Sequence, residues 1–241
     1  MLHEVNALGQ PIGLAVDGWK PPPRPPREPL IGRTCRVEPL DPARHGEQLH
    51  AANLLDVAQR NWTYLPYGPF ETFDEYSVWL DGVAAGTDPM FHAIVDLATG
   101  DAVGLASYLR IDPAAGSIEV GHINYSPKLQ RKIAATEAMY LMMKRAFELG
   151  YRRYEWKCHA LNAPSRAAAQ RFGFSYEGIF RQARVDKGRN RDTAWYAAID
   201  REWPALDAAF RSWLDPANFD AQGHQLTSLA ALTSPILVAR G

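Results

Sequence analysis

The sequence is poor in cysteine, has no long apolar run and carries almost no net charge. Its two cysteines, Cys35 and Cys158, stand far apart in 241 residues, which excludes a disulfide framework or a zinc-ligand spacing and is typical of a reducing compartment. No apolar run approaches membrane-spanning length, and residues 1–18 lack the basic and apolar segments of a signal peptide. The net charge of -1 argues against nucleic acid or an anionic membrane as partner. We therefore expect a soluble, cytoplasmic protein without a metal site.

Proline is concentrated near the amino terminus, where WKPPPRPPREP fills residues 19–29. Such a segment lacks backbone donors and favours polyproline II. We predict a proline-rich arm over residues 1–30, a compact domain over residues 31–215 and a tail over residues 216–241. The arm is either a spacer lying over the domain or a ligand for a proline-reading partner. The apolar end of the tail packs either on the domain or on a second subunit.

The apolar periodicity of the domain predicts an α+β fold. Before residue 161, strand-like patterns occupy residues 33–40, 91–97, 103–111, 118–125 and 151–160. Helical spacing occupies residues 43–59, 73–85, 135–149 and 162–172, and a terminal helix follows two further strands.

The domain is organised around residues 117–174, which read as strand, loop, helix, strand and helix. The sequence LQRKIAAT, residues 129–136, lies where the strand passes into the long helix, whose buried stripe includes Met139, Met142 and Met143. A helix start offers free backbone amides and the positive end of the helix dipole. We therefore expect a pyrophosphate to bind at this loop.

Four segments carry a resemblance to a known family: YLPYGPF (64–70), SPKLQRKIAATEAM (126–139), YEWKCHALNAPSRAAAQRFGF (154–174) and EGIFRQ (177–182). Together they resemble the GNAT superfamily of acyl-CoA-dependent N-acyltransferases, and within it the RimJ/RimL type of ribosomal-protein alanine acetyltransferases. The resemblance implies the GNAT fold, a mixed and mostly antiparallel twisted sheet with splayed central strands, flanked by helices in α/β/α layers. It also implies transfer of an acyl group, acetyl in the first place, from acyl-CoA to a primary amine by direct attack in a ternary complex.

The resemblance leaves the acceptor open between a small-molecule amine and the amino terminus of a protein or peptide. It is also compatible with a homodimer. The alternative function is an acyl-CoA-binding module or sensor with little transferase activity, which the long arm and Ile133 favour.

The family's phosphate loop has the pattern Gln/Arg-x-x-Gly-x-Gly/Ala. Gln130 and Ala135 match its ends, whereas Ile133 stands at the glycine position, where a β-branched residue resists positive φ. Either the loop keeps helical φ and still presents its amides, or binding of the cofactor is weakened. The resemblance implies the following contacts to acetyl-CoA or another short acyl-CoA: Ile123, Asn124, Tyr125, Gln130, Arg131, Lys132, Ile133, Ala134, Ala135, Thr136, Asn162 and Ser165.

Three residues are candidates for catalysis. Glu119 is the first choice as general base and His122 the second, and a spacing of three puts them on opposite faces of a strand unless a bulge intervenes. Ser165 matches the family's NxxS element, where a serine can hydrogen-bond the thiol sulfur and relay a proton. Asn162 and Ser165 could equally cap a helix.

The acceptor side is expected to be formed by aromatic residues that either wall a pocket or plug the core. These are Trp62, Tyr64, Tyr67, Phe70 and Trp79. Four arginines in residues 181–191 indicate either an acceptor that bears a carboxylate, a larger acyl group such as succinyl, or a solvated basic hairpin. His159 is predicted to be a surface residue.

Overall fold

The computed structural model describes residues 3–241. Within them the strands are β1 (Glu4–Val5), β2 (Pro11–Ile12), β3 (Leu30–Ile31), β4 (Cys35–Pro39), β5 (Met90–Asp96), β6 (Ala102–Asp112), β7 (Ser117–Tyr125), β8 (Arg153–His159), β9 (Ser175–Asp186) and β10 (Arg189–Ile199). The α-helices are α1 (Pro42–Asn53), α2 (Phe73–Ala84), α3 (Ile133–Glu148), α4 (Ala163–Arg171), α5 (Trp203–Leu214) and α6 (Leu229–Thr233).

Eight strands form one mixed sheet in the order β3-β4-β5-β6-β7-β8-β10-β9. All neighbours are antiparallel except β7 and β8, which run parallel. The parallel pairing covers only Ser117–Val120 against Arg153–Trp156, and the two strands separate beyond it. This architecture confirms the predicted α+β class and its splayed central strands.

Helices cover both faces of the sheet because the strands alternate their apolar side chains between two cores. Ile94 packs in the larger core with α3 and α5, whereas Phe91, Ala93 and Val95 pack in the second core with α1 and α2. The methionine stripe of α3 is buried in the larger core, as its spacing predicts. None of the helices within the described residues has the length and apolar character that a membrane crossing requires.

The arm lies along the domain. Arg24 donates to the carbonyls of Ile111 and Thr87, and Arg27 donates to those of Gly86 and Ala84. Backbone carbonyls of the domain thus hold two arginines of a segment whose prolines cannot donate hydrogen bonds themselves.

The tail also packs on the domain. Leu229 is fully buried, and the Thr233 hydroxyl donates to the Arg171 carbonyl. The Ala239 carbonyl accepts from the Tyr176 amide at 3.1 Å. Within the chain, the apolar end of the tail therefore contacts α4 and β9.

Two predicted boundaries differ from the structure. The helix expected over residues 43–59 ends at Asn53, because Leu54, Leu55 and Val57 are exposed and continue no apolar face. The apolar run TAWYAAID predicts a last strand over residues 193–200. The strand begins at Arg189 instead, because the tight turn after Asp186 extends the pairing of β9 with β10.

Candidate active site

A cavity of about 360 Å³ opens where β7 and β8 separate. Its walls are formed by the carboxyl-terminal parts of these two strands, by residues 61–66 and by the β9–β10 hairpin. Beyond Val120 and Trp156 the two strands no longer pair with each other. Their backbone groups on this side are therefore available to a ligand that enters the opening.

Glu119 and His122 both line this cavity although they are three residues apart on one strand. A bulge between Gly121 and Asn124 shifts the register of β7 against β6, and His122 adopts a φ of 50°. The extra residue changes which face the following side chains occupy. The bulge thus brings two predicted catalytic residues together.

Glu119 is 3% exposed and is held by two cations. Arg110 Nη1 donates to both carboxylate oxygens at 2.7 Å, and Lys157 Nζ lies 2.8 Å from Oε2. Lys157 also contacts Glu155 at 2.6 Å and lies 3.8 Å from the centroid of the Trp195 ring. Burial raises the pKa of the Glu119 carboxyl, while Arg110 and Lys157 oppose that rise. Both carboxylate oxygens therefore have partners before any amine enters.

His122 is enclosed by aromatic rings. Its imidazole stacks on Tyr67 with ring centroids 5.6 Å apart and lies 5.0 Å from Phe91. Its Nδ1 is 3.2 Å from the Tyr67 hydroxyl oxygen. Burial lowers the pKa of His122 to about 4, and nearby arginines act in the same direction. The imidazole is therefore neutral at pH 7, and Nε2 is the nitrogen that Tyr67 leaves free.

We expect folding stability to fall as the pH drops from 6.5 towards 4, in part because of His122 and His92. Burial lowers the pKa of each to about 4 from an ordinary value of 6.5. Above pH 6.5 both histidines are neutral in both states; between 6.5 and 4 only the unfolded chain takes up their protons. Each histidine therefore lowers the free energy of unfolding by about 2 kcal/mol at pH 5.

The measurement is urea unfolding of the wild type and of His92→Gln at pH 7.5 and pH 5. The variant should lose about 2 kcal/mol less than the wild type between these two pH values. Equal losses would show that His92 titrates normally in the folded protein.

Ser165 and Asn162 line the cavity at the start of α4. Asn162 Oδ1 accepts from the Ser165 amide at 3.2 Å, so Asn162 caps the helix. Trp156 Nε1 donates to Ser165 Oγ at 3.0 Å. Burial raises the pKa of the Cys158 thiol, and a hydrogen bond with Ser165 opposes the rise.

Of the five aromatic residues predicted to bind the acceptor, only Tyr64 lines this cavity within residues 3–241. The other four pack in the second core: Trp62, Tyr67, Phe70 and Trp79. The ring centroids of Tyr67 and Trp79 are 4.4 Å apart, and those of Trp62 and Phe70 are 5.5 Å apart. Four of the five thus plug the core, although the Tyr67 hydroxyl still reaches His122.

Two hydrogen bonds tie the aromatic loop, residues 62–70, to its surroundings. Lys187 Nζ, at the tip of the β9–β10 hairpin, donates to the Trp62 carbonyl at 2.8 Å, and the Tyr64 hydroxyl donates to the Leu161 carbonyl at 3.2 Å. His159 lies beside Tyr64, with ring centroids 5.2 Å apart, and lines the cavity. His159 is half-buried, because the aromatic loop lies beside this end of β8.

The loop before α3 places its left-handed residue at Arg131, with a φ of 61°, whereas Ile133 is the first residue of the helix. The β-branched side chain therefore meets no left-handed backbone. No side chain caps the helix at Lys132, and within the described residues no acceptor takes the amide protons of Ile133 and Ala134. The start of α3 thus keeps two free amides for an anion.

Gln130 faces back towards β7. Its Nε2 donates to the Tyr125 carbonyl at 2.8 Å and to Asn61 Oδ1 at 3.0 Å. The Tyr125 hydroxyl donates to the Ala135 carbonyl at 3.3 Å. The Gln130 side chain therefore secures the end of β7 in this structure.

The remaining residues predicted to hold the cofactor differ in their surroundings. Ile123 lines the cavity. Asn124 is buried, and neither side-chain polar atom has a hydrogen-bond partner among residues 3–241. Thr136 is buried under Arg171, whose Nη1 and Nη2 both donate to its hydroxyl oxygen at 3.1 Å. Thr136 thus already has a protein partner.

Several residues of the cavity were not singled out in the sequence: Asn61, Arg110, Lys157, Cys158 and Trp195. Alternation along β8 separates Lys157 from Trp156 and Cys158. This alternation does not indicate that Trp156, Lys157 and Cys158 all line one cavity. That follows from the separation of the strands, which exposes both faces of β8 at its end.

The sequence profile of the acetyltransferase (GNAT) domain matches residues 38–175, more than half of the chain. The chain belongs to the GNAT acetyltransferase family. The match includes β7, the loop before α3, β8 and α4, which build the cavity and the free helix start. A comparison with curated proteins finds no match.

Solved structures of GNAT proteins are similar over most of the chain. A GCN5-related N-acetyltransferase from Brucella melitensis is 48% identical with a TM-score of 0.89, covering 91% of this chain and 100% of that chain. A probable acetyltransferase (GNAT family) from Chromobacterium violaceum ATCC 12472 is 42% identical with a TM-score of 0.76, covering 81% of this chain and 98% of that chain.

A Salmonella typhimurium acetyl transferase that modifies the N-terminal serine of ribosomal protein L7/L12 is 22% identical. Its TM-score is 0.61, and the match covers 71% of this chain and 99% of that chain. At this identity the likeness shows the fold alone. Membership of the GNAT family makes the chain an acyltransferase of a family that uses acyl-CoA, while the RimJ/RimL branch stays a prediction.

Exchanging Ile133 for glycine is not expected to tighten the binding of CoA by this GNAT protein. Residue 133 is already helical, so glycine relieves no strain and destabilises the helix by about 0.5–1 kcal/mol. Arg131→Gly is the matched variant, because the left-handed conformation costs a non-glycine residue about 1–2 kcal/mol.

Urea unfolding should show Ile133→Gly less stable than the wild type and Arg131→Gly at least as stable. Calorimetric titration with CoA supplies the affinity of each variant. A lower Kd for Ile133→Gly than for the wild type would contradict the helix-start geometry.

Proposed function

We propose that the protein transfers an acyl group, acetyl in the first place, from acyl-CoA to a primary amine by direct attack in a ternary complex. The observation that carries this proposal is the opening between β7 and β8, where a neutral imidazole meets unpaired strand edges. The strand that carries His122 then leads directly to the free helix start of α3. β7 thus connects the cavity beside His122 with the proposed phosphate site at the start of α3.

The start of α3 would hold the pyrophosphate of the donor. The amides of Ile133 and Ala134 lack acceptors among the described residues, and Arg131 and Lys132 add positive charge beside them. The unpaired edge of residues 123–125 would take the pantetheine arm. Tyr125 needs no ligand at its carbonyl, because Gln130 and Asn61 already donate to it.

Acyl-CoA would supply the thioester carbonyl that the amine attacks. A backbone amide of residues 123–125 would donate to the thioester oxygen as negative charge develops there. Such a donor is effective only if it has no other acceptor. β7 stops pairing with β8 after Val120, so on that side of β7 the amides of residues 123–125 have no acceptor in β8.

His122 is the general base that the geometry favours. If Nδ1 carries the ring proton and donates it to the Tyr67 oxygen, Nε2 has a free lone pair and can accept the proton that the attacking amine releases. Glu119 remains the other candidate. Both of its carboxylate oxygens already have cationic partners at 2.7 Å and 2.8 Å, so an amine would have to displace a cation to reach it.

Ser165 would return a proton to the sulfur that leaves. Trp156 Nε1 donates to its Oγ, so the hydroxyl proton must point elsewhere. The nitrogen would thus lose one proton to His122, which passes it to solvent, and the departing thiolate would gain one through Ser165, whose hydroxyl takes a proton from solvent in the same step.

The acceptor proposed from the RimJ/RimL resemblance is the α-amino group of a protein or peptide, with small amines as the other class. A cavity of about 360 Å³ accommodates a small amine or one terminal residue. Hydrogen bonds from Lys187 and Tyr64 hold the aromatic loop over the cavity. A folded protein could therefore insert only a flexible terminus.

The test is release of CoA thiol from acetyl-CoA in the presence of small amines, polyamines, amino acids and short peptides. Binding of acetyl-CoA is measured in parallel by calorimetry. At least one acceptor class should raise thiol release above the rate without amine. Measurable binding with no release above background for every class would overturn the transferase proposal in favour of an acyl-CoA-binding module.

A further inference from the structure

The cavity carries more positive than negative charge. Arg110, Lys157, Arg184 and Arg191 line it. Glu119 is the one carboxylate among its lining residues in the part of the chain that the structure describes. Because Glu119 pairs with Arg110 and Lys157, and Glu155 also pairs with Lys157, the unmatched positive charge lies on the side of the β9–β10 hairpin.

Arg184 and Arg191 share a single carboxylate. Arg191 Nη1 donates to Asp186 Oδ2 at 2.8 Å, and Arg184 Nη2 lies 3.2 Å from Oδ1. Arg191 Nε also donates to Thr193 Oγ1 at 3.3 Å. A guanidinium has five N–H donors, so the two side chains keep donors that no acceptor within residues 3–241 takes. The pair of arginines has one positive charge more than its partner can balance.

The other two arginines of the hairpin differ from this pair. Arg181 and Arg189 do not line the cavity, whereas Arg184, with its side chain 45% exposed, and Arg191, with its side chain 11% exposed, both do. The basic hairpin is therefore not uniformly solvated: two of its arginines contact the reaction cavity and two do not. This division provides controls of the same residue type on the same two strands.

A cavity with an excess of positive charge is a poor site for an amine that has no anionic group. Such an amine releases a proton during acyl transfer, but it offers nothing to the arginines. A carboxylate on one of the reactants would balance the charge and would match the planar fork of a guanidinium with paired hydrogen bonds.

We propose that Arg184 and Arg191 bind a carboxylate carried by one of the two reactants. The inference rests on the proposed acyl transfer and names the substrate class of that same cavity. Two sources have the required chemistry: an acceptor whose amine is accompanied by a carboxylate, as in a free amino acid, or an acyl group that ends in a carboxylate, as in succinyl-CoA.

The acceptor arm compares amino acids with the corresponding amino acid amides, using acetyl-CoA as donor. The donor arm compares succinyl-CoA with butyryl-CoA, which has a methyl group in place of the carboxylate, using a neutral alkylamine as acceptor. In one arm the carboxylate compound should have a kcat/KM about 10–100-fold higher than its partner, the range expected for charged hydrogen bonds.

Arg184→Gln is the informative variant, because Arg191 still holds Asp186 when Arg184 is changed. It should lower the carboxylate preference at least about tenfold in the arm that shows it. Arg184→Lys keeps the charge without the planar fork and should restore part of the preference. Arg189→Gln and Arg181→Gln should leave the preference as it is in the wild type.

Calorimetric binding separates this inference from the proposed function. Succinyl-CoA and butyryl-CoA are titrated alone, and the amino acids and their amides are titrated in the presence of CoA. A carboxylate preference that Arg184→Gln removes would support the site even if no amine is acylated. The inference is overturned if neither arm shows a preference in binding or kinetics, or if Arg189→Gln lowers it as much as Arg184→Gln.

Discussion

Replacing His122 with glutamine is expected to lower kcat by about 10²–10⁴-fold, the usual contribution of a positioned general base. Glutamine keeps a polar group of similar length beside Tyr67 but cannot take the proton of an attacking amine. The loss should appear in kcat more than in KM for acetyl-CoA, because the base acts in the transition state. The measurement is CoA release at saturating donor with the best acceptor of the panel.

The surface variant His224→Gln is the matched control, since His224 is exposed and does not line the cavity. Tyr67→Phe removes only the hydroxyl that contacts Nδ1, so its loss should be smaller than that of His122→Gln. The wild-type profile of kcat/KM should show no His122 transition near pH 6.5, because burial lowers the pKa of His122 to about 4. If Glu119→Gln instead abolishes turnover and His122→Gln keeps it, Glu119 is the base.

Replacing Glu119 with glutamine is expected to lower the free energy of unfolding by about 3–5 kcal/mol. The side chains of Glu119 and Lys157 are 3% and 7% exposed, and the change leaves the ammonium with one carboxylate fewer in a site that water barely reaches. Glu155 at 2.6 Å still partners Lys157, which places the expected loss at the lower end of that range. Arg110 is half-exposed, so its lost pairing adds little.

Urea unfolding at pH 7.5 measures this loss. Glu177→Gln is the matched control, because Glu177 pairs with Arg153 near the surface and should cost at most about 1 kcal/mol. The double variant Glu119→Gln with Lys157→Met should recover part of the loss by removing the buried cation that has lost one of its two carboxylates. A Glu119→Gln protein as stable as the Glu177→Gln protein would show that the buried ion pair contributes nothing.

The fold was accessible from the sequence because its signals are local. The buried stripe of α3, the capping of α4 by Asn162 and the apolar runs of β5 and β6 each depend on residues a few positions apart. Reliance on local signals also misplaced the end of α1. Its apolar residues continue past Asn53, and nothing local reveals that they face solvent.

The site was accessible only in part. The left-handed residue of the bulge is His122 and not the neighbouring Gly121, so the sequence could state the condition for Glu119 and His122 to meet but not whether it holds. The aromatic loop is similar: large rings suit a core and a pocket wall equally, and only packing separates Tyr64 from Trp62. The family's glycine falls at position 133, where the structure has the first helical residue, in agreement with the alternative of helical φ, and the left-handed residue lies at Arg131.

The loop LQRKIAAT shows most clearly what each level decides. The sequence by itself determined that a loop with two basic residues leads into an amphipathic helix, because that depends on spacing along the chain. Tertiary structure decided that its strand separates from β8, that His122 meets Tyr67, and that Lys157 meets Glu119. These contacts join segments that lie tens of residues apart, so strand register and packing create them, and no local pattern encodes them.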